Sequence, residues 1–253
     1  MTRLFLASRN AKKLAELERI LAPLVPGIAV VGLDDVPDYD EPVEDAPDFR
    51  GNALIKARAG LAATGLPTVA DDSGLCVDAL NGMPGVLSAR WSGPPKSDER
   101  NNQLLLAQLA DVPAERRGAY FACAVAFCMP AEPGMVERVD LVVEGRMDGH
   151  LLRAPRGEGG FGYDPLFVPT ETLTTRPGEA PTSPEASGTP STKAESSAAS
   201  ADDVRSAARS DDIARVWGEG PTAAEQTPEQ KDAVSHRGKA LRALAPHIAQ
   251  ALS

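Results

Sequence analysis

Residues 69–93 read VADDSGLCVDALNGMPGVLSARWSG, and the rest of the chain is arranged around them. An apolar run, Pro67 to Ala70, meets Asp71-Asp72-Ser73-Gly74 at once. Two adjacent carboxylates, a hydroxyl and a glycine behind an apolar strand predict a strand-end loop of hard oxygen ligands. Mg²⁺ is held by such a set, through one or two carboxylates with waters and substrate phosphates completing an octahedron. Neighbouring strand side chains point to opposite faces, so Asp71 and Asp72 cannot both face one ion from a regular strand. One is expected to bind metal or water while the other braces the loop. Asp, Ser and Gly are also ordinary turn residues, and a bare DDSG by itself reads first as an Asx-capped turn. The residues after Gly74 shift the reading toward a site. Gly82, Pro84, Gly85 and Gly93 constrain the backbone around Ser88-Ala89-Arg90-Trp91, and constrained loops on a scaffold are where sites sit.

At 253 residues the chain has room for one large domain or two small ones. A formal net charge of −10 gives no dominant basic patch and argues against a nucleic-acid polymer as partner. A phosphorylated small molecule needs only local positive charge and stays open. Three cysteines, Cys76, Cys123 and Cys128, sit in apolar settings and read as buried free thiols in a reducing compartment. The opening MTRLFLASRN turns polar too soon for a signal peptide, and no apolar run reaches membrane-spanning length. A soluble, cytoplasmic protein is expected.

Leu4-Phe5-Leu6-Ala7 predicts a first strand. Ser8-Arg9-Asn10-Ala11-Lys12-Lys13 follows, then Leu14, Leu17, Ile20, Leu21 and Leu24 at helical spacing. Ser8 or Asn10 can cap that helix, whose N-terminus suits phosphate and whose Lys13 adds a point charge. A plain strand-to-helix turn has the same local signature. Ile28 to Val31 predicts a second strand, and Asp34 to Asp48 an acidic, proline-broken loop containing Glu44. Helices are expected over Asn52–Thr64 and Asp98–Leu109, a buried strand over Tyr120–Met129, and a half-exposed one around Val139–Val143. This mixed order predicts an α/β domain with a mixed sheet. Gly157 to Pro165, GEGGFGYDP, is a second glycine-dense loop. Its backbone permits close approach while Phe161 and Tyr163 offer flat apolar faces and Asp164 an acceptor. It can hold an aromatic base, or be a hairpin with core aromatics. From Pro169 to Asp203 the only large aliphatic or aromatic residue is Leu173, so residues 170–215 are expected to be a disordered insert within a single domain spanning residues 1–253. Ile213, Val216 and Trp217 can form a short docking patch at its end. A short helix carrying Lys231 follows, then Ser235-His236-Arg237-Gly238 opens a closing helix.

The pieces ASRNAKKLAEL, FRGNALIKA, VADDSGLCVDALNGMPGVLSARWSG, GEGGFGYDPLFVP and KDAVSHRGKAL, in that order, resemble the inosine/xanthosine triphosphate pyrophosphatases. The resemblance covers nearly all the chain outside the insert. It implies a two-lobed α/β fold of the ITP pyrophosphatase type with the active cleft between lobes. It also implies a homodimer and Mg²⁺-dependent cleavage of ITP, dITP or XTP to monophosphate and pyrophosphate. Carried over by position, it puts the triphosphate on Ser8, Arg9, Asn10, Ala11, Lys12 and Lys13. Asp72 becomes the metal-linked proton acceptor, with Ser73 beside it on the substrate, and Glu44 the second metal ligand. Phe161, Gly162, Tyr163 and Asp164 form the nucleoside loop; Lys231 serves the phosphate or base side, and His236 and Arg237 read the base. The acidic loop departs from pattern: Ala46 stands where a glycine is common, and Arg50-Gly51 where acids usually precede Asn52. A nucleotide sensor without catalysis, or a pyrophosphatase for modified pyrimidine nucleotides, is the alternative on these residues.

Overall fold

The computed structural model describes residues 2–130, 138–170 and 220–252. The expected disordered insert at 170–215 and the docking patch at Ile213, Val216 and Trp217 lie outside the described residues, Thr170 excepted. In chain order the elements are β1 (Arg3–Leu6), α1 (Ala11–Leu21), β2 (Ala29–Val31), α2 (Phe49–Thr64), β3 (Thr68–Val77) and α3 (Asp98–Gln108). They continue with β4 (Gly118–Pro130), β5 (Arg138–Leu151), β6 (Phe167–Pro169), α4 (Pro228–Val234) and α5 (His236–Leu252). All six strands form one sheet in the order β2-β1-β3-β4-β5-β6. β1 pairs parallel with β2 and β3, and the remaining pairs are antiparallel, so the sheet is mixed.

The expected strand-end loop at Asp71–Gly74 is not a loop. β3 runs straight through it, with every residue from Thr68 to Val77 in register with β4. Turn-forming residues stay extended here because their partners on β4 continue without a break and their charges are matched across space.

Register then sorts the side chains. On one face Val69 lies opposite Phe127, Asp71 opposite Val125, Ser73 opposite Cys123 and Leu75 opposite Phe121. This face carries two apolar clusters. Leu17 and Leu21 of α1 and Leu241, Leu244 and Ile248 of α5 pack on Val69, Val125 and Phe127. Leu105 and Leu109 gather with Leu75, Val77, Phe121, Met147, Leu166 and Phe167. Asp71 and Ser73 interrupt the strand between these two cores, and that interruption is the physical meaning of two lobes with a cleft. On the opposite face Ala53 and Ala57 of α2 meet Ala70, Ala124 and Ala126. Alanine favours the helix and brings it close to the sheet. Gly60 brings it closer still, since a Cβ there would stand 2.8 Å from the Phe5 ring.

α2 starts three residues earlier than the apolar spacing suggested, because Asp48 caps it by accepting from the Gly51 N–H at 2.7 Å. Gly65, at φ 67°, ends it in the left-handed conformation.

Candidate active site at the open edge of β3

β1 pairs with β3 only at Phe5↔Thr68 and Leu6↔Val69. Past that point the chain leaves as Ala7, whose N–H donates to Val69 O at 2.9 Å. Lower down the same edge is covered again, by Ser88 Oγ accepting from Leu75 N at 2.9 Å and by Val77 N donating to Met83 O. Among the described residues no strand pairs with the edge of β3 between Asp71 and Gly74. Side chains from both faces of the sheet line the polar cavity at this gap, Lys13 and Asp71 from one and Lys56 from the other, and Asp72 reaches it through Lys56.

On the α1/α5 face, Lys13 Nζ contacts both carboxylate oxygens of Asp71 at 2.8 Å. Arg237 Nε donates to Asp71 Oδ2 at 3.2 Å, and its other arm lies 3.9 Å from Glu16. Burial alone would raise the Asp71 carboxyl, but Lys13 and Arg237 outweigh it and hold the group well below the ordinary carboxylate range. This ion network joins two cavities. One, of about 310 Å³, is lined by Ser8, Arg9, Lys13, Glu44, Lys56 and Asp71. The other, of about 160 Å³, is lined by Ser73, Phe121, Phe161, Tyr163, His236 and Arg237, among others. The first is polar and carries three cationic side chains; the second is walled by aromatics.

On the α2 face, Asp72 accepts from Asn52 Nδ2 at 3.1 Å and from Lys56 Nζ at 3.3 Å. Lys56 Nζ also lies 3.4 Å from Glu44 Oε2. Burial, with Lys56 and Asn52 opposing it, leaves the Asp72 carboxyl above its usual value. Among the described residues no group of three or more His, Cys, Asp or Glu gathers at one point. Glu44 and Asp72 nevertheless converge on one cationic nitrogen. Two carboxylates, completed by water and phosphate oxygens, fit a hard divalent cation of the Mg²⁺ kind rather than a cage of protein ligands.

The N-terminal residues form the rim of the polar cavity. Ser8 Oγ accepts from Asn10 N at 3.1 Å, and the Asn10 carbonyl takes the first helical bond, from Leu14 N. Ala11 opens α1; the Lys12 side chain lies outside the described residues. Arg9 is exposed and sits 3.5 Å from both Asp34 and Glu41.

In the aromatic cavity, Tyr163 is buried and donates to Ser88 O at 2.9 Å, whereas Phe161 is 56% exposed at the mouth. Asp164 is buried, and one of its two carboxylate oxygens is already committed. Its Oδ2 takes the Phe161 N–H at 2.8 Å and pairs with Lys231, whose Nζ also stands 4.9 Å from the Phe161 ring centroid. Gly160 is required there: its φ is +76°, and a Cβ would meet that carboxylate at 2.2 Å. His236 is stacked on Phe121 with centroids 5.1 Å apart and rings 12° from parallel. Burial, reinforced by Arg237 and Lys231, pushes its pKa down to about 3. The imidazole is therefore neutral near pH 7, and its Nδ1 has no hydrogen-bond partner among the described residues. Of the two forms expected for a base reader, protonated or suitably tautomeric, these surroundings favour the neutral one. Gly145 makes this placement possible, because a Cβ there would lie 2.0 Å from His236 O.

Sequence reasoning missed Asn52, Lys56, Phe121 and Asp98. The first two had a readable signal, since they stand four residues apart on the helix that buries Ala53 and Ala57. The departures in the acidic loop also have a physical account. Ala46 N donates to Asn52 Oδ1 at 3.0 Å, and a Cβ on Gly51 would stand 2.5 Å from the Ala46 Cβ. Ala46 occupies the volume that Gly51 vacates, and the loop still delivers Glu44.

Comparison with known proteins supplies the family. The sequence profile of the Ham1 family matches residues 4–194. A Nocardia farcinica protein named dITP/XTP pyrophosphatase is 50% identical over 250 residues, 98% of this chain and 96% of its own length. One of the same name from Corynebacterium jeikeium is 50% identical over 253 residues, 98% of each. Among solved structures, a nucleoside-triphosphatase / dITP/XTP pyrophosphatase from Mycobacterium abscessus is 46% identical with a TM-score of 0.65, covering 97% of this chain and 100% of that one. The Ham1 protein of Staphylococcus aureus is 28% identical with a TM-score of 0.70, covering 99% and 100%. With its profile matched over most of the chain and relatives aligned nearly end to end, this chain belongs to the Ham1 family.

Proposed function

We propose that the chain hydrolyses deaminated purine nucleoside triphosphates, ITP, dITP and XTP, to the monophosphate and pyrophosphate. The relatives' names point to that substrate class. The observation that carries the reading for this chain is the pair of cavities joined by Lys13–Asp71–Arg237: cationic and carboxylate-lined on one side, aromatic on the other. A nucleoside triphosphate has that division of chemistry.

Glu44 and Asp72 would hold Mg²⁺, which supplies charge neutralisation for the triphosphate and acidifies water. The residues do the rest. Water attacks the α-phosphorus, the bond from that phosphorus to the bridging oxygen breaks, and pyrophosphate departs with that oxygen. Asp72 takes the proton from the attacking water. Lys13 has three ammonium donors and uses two contacts on Asp71, so it keeps capacity for a phosphate oxygen. Lys56 and Arg9 add charge around the same cavity and stabilise the negative charge that develops on the leaving group. Phe161 lies at the mouth where a flat base would stack.

Selectivity follows from donors facing the 6-position. Arg237 and an Nε2-protonated or Nδ1-protonated neutral His236 present N–H groups that donate to the oxygen of a 6-oxo base. Adenine would set its 6-amino donor against them and leave buried donors unpaired, at about 1–3 kcal/mol each. Two such donors reject ATP by about 10²-fold or more.

Among the described residues no helix is long and apolar enough to cross a membrane, and the three cysteines are buried and joined in no disulfide. The setting we infer is the cytoplasm, with the homodimer implied by the resemblance and no nucleic-acid polymer as partner. The test is pyrophosphate release from ITP, XTP and ATP, with and without a chelator. Turnover of ITP and XTP, weak turnover of ATP and loss of activity on chelation are expected. Equal rates on ITP and ATP would remove the base-reading role, and chelator-resistant hydrolysis would remove the metal.

A further inference from the structure

We propose that Asp98 and Asn102, in the first turns of α3, are positioning residues that hold the aromatic loop in place over the base cavity. They do so by gripping both main-chain groups of Gly162. The inference rests on the nucleotide reading of that cavity.

Gly162 lies between the two aromatic residues of the loop and adopts φ 61°, the left-handed region that glycine tolerates. Its N–H donates to Asp98 Oδ2 at 2.6 Å, and its carbonyl accepts from Asn102 Nδ2 at 2.9 Å. The two side chains stand four residues apart and so share one helix face. Tyr163 is fixed separately through Ser88 O, and Asp164 fixes the loop to itself through Phe161 N. Phe161 is held at its N–H by Asp164 and faces Lys231 Nζ at 4.9 Å, yet its ring is the exposed aromatic at the mouth and its chain neighbours are both glycines. The outer side of the loop is therefore set by α3.

The bland alternative is that Asp98 merely caps its helix. Ser97 already does that, accepting from Arg100 N at 3.2 Å. Asp98 is exposed and makes no ion pair among the described residues, so its contact with Gly162 is a long-range bond between residues 64 positions apart. Asn102 has the same one-sided character: its amide donates to Gly162 while its Oδ1 is buried without a partner among the described residues. Both side chains are spent on the loop.

Two measurements test this. Hydrogen exchange of residues 160–164, made without any nucleotide, is expected to accelerate in Asp98→Ala and in Asn102→Ala, and to stay near wild type in Asp98→Asn, which keeps an acceptor. Steady-state turnover of ITP is expected to show KM raised about tenfold in Asp98→Ala with kcat changed by less than about twofold, and most of the loss restored in Asp98→Asn. Phe161→Ala raises KM as well, and adding Asp98→Ala to it is expected to raise KM by less than about a further twofold, since the clamp acts through the missing ring. Unchanged loop exchange, or independent multiplication of the two KM effects, overturns the clamp. A wild-type chain inert on ITP sinks the proposed activity instead, and the exchange comparison still decides whether α3 holds the loop.

Discussion

On one face of β3, Asp71 is closed in by Lys13 and Arg237 with its side chain 6% exposed; on the other, the next residue, Asp72, keeps 14% exposure beside Lys56 and Asn52. The same carboxylate, one position apart, ends with opposite acidity. Asp71 is held well below its ordinary range and Asp72 above it. The difference comes from the number of cations and the closeness of their approach. Asp71 faces two basic side chains, one gripping both its oxygens; Asp72 shares a single lysine with Glu44, whose own charge works against its ionisation. One aspartate is a fixed counter-ion; the other is the one we propose as proton acceptor.

The sharpest way to break that contrast is to remove each charge in turn. Asp72→Asn keeps the shape and the Asn52 contact but, on the proposed mechanism, loses the base and a cation ligand. Turnover of ITP is expected to fall by about 10²–10⁴-fold with the thermal midpoint little changed. Asp71→Asn is expected to act in reverse order, on stability first. It leaves Lys13 and Arg237 facing each other across a buried gap, and breaking a buried pair on one side costs about 3–5 kcal/mol. Urea unfolding measures this. If Asp72→Asn unfolded the chain while Asp71→Asn left it stable, the division of labour would be the wrong way round.

The comparison also shows what could be read from the chain alone. Alternation along a strand already says that Asp71 and Asp72 diverge, and the apolar spacing of α1 and the closing helix is plain. What misled is the composition of Asp71-Asp72-Ser73-Gly74, which reads as a turn because each residue is a turn former taken singly. Its extended state is decided by partners far away in sequence: Lys13 is 58 residues from Asp71, and Arg237 is 166. Gly74 illustrates the same limit. It is there for space, because a Cβ would stand 2.4 Å from Ser88 Oγ, and local sequence carries no trace of that neighbour. Asp164 was legible as an acceptor but not as one already committed to Lys231 and its own loop.

A smaller effect lies in His236, on the same face as Asp71. Its pKa drops from an ordinary 6.5 to about 3 in the folded chain, so folding favours the neutral ring. The unfolded chain then takes up the proton first as pH falls. Stability from this group is complete above pH 6.5 and drains away as pH drops toward 3. The groups facing it are Arg237, Lys231 and Lys13, which oppose protonation, and Asp71, which favours it. Between pH 6.5 and the ordinary glutamate value of 4.5, where carboxylates contribute least, a declining unfolding free energy is expected. His236→Gln should flatten it; an equal slope in that variant would place the titration elsewhere.

The weakest expected effect comes from α2 itself, two residues beyond Lys56. Arg58 donates through Nε and Nη2 to Asp140 Oδ2 at 2.9 and 2.6 Å, a shorter contact than either one Lys56 makes. Distance alone would rank it the stronger pair. Exposure reverses the ranking: Arg58 is 43% exposed and Lys56 18%, so water and salt screen the first far more than the second. Arg58→Ala is expected to cost at most about 1 kcal/mol, to shrink further in high salt, and to leave ITP turnover at the wild-type rate. A large loss of activity in that variant would mean that β5, through Asp140, sets the angle of α2 and with it the reach of Lys56 to Asp72. Short of that result, the chemistry of this helix is confined to the face that meets the open edge of β3.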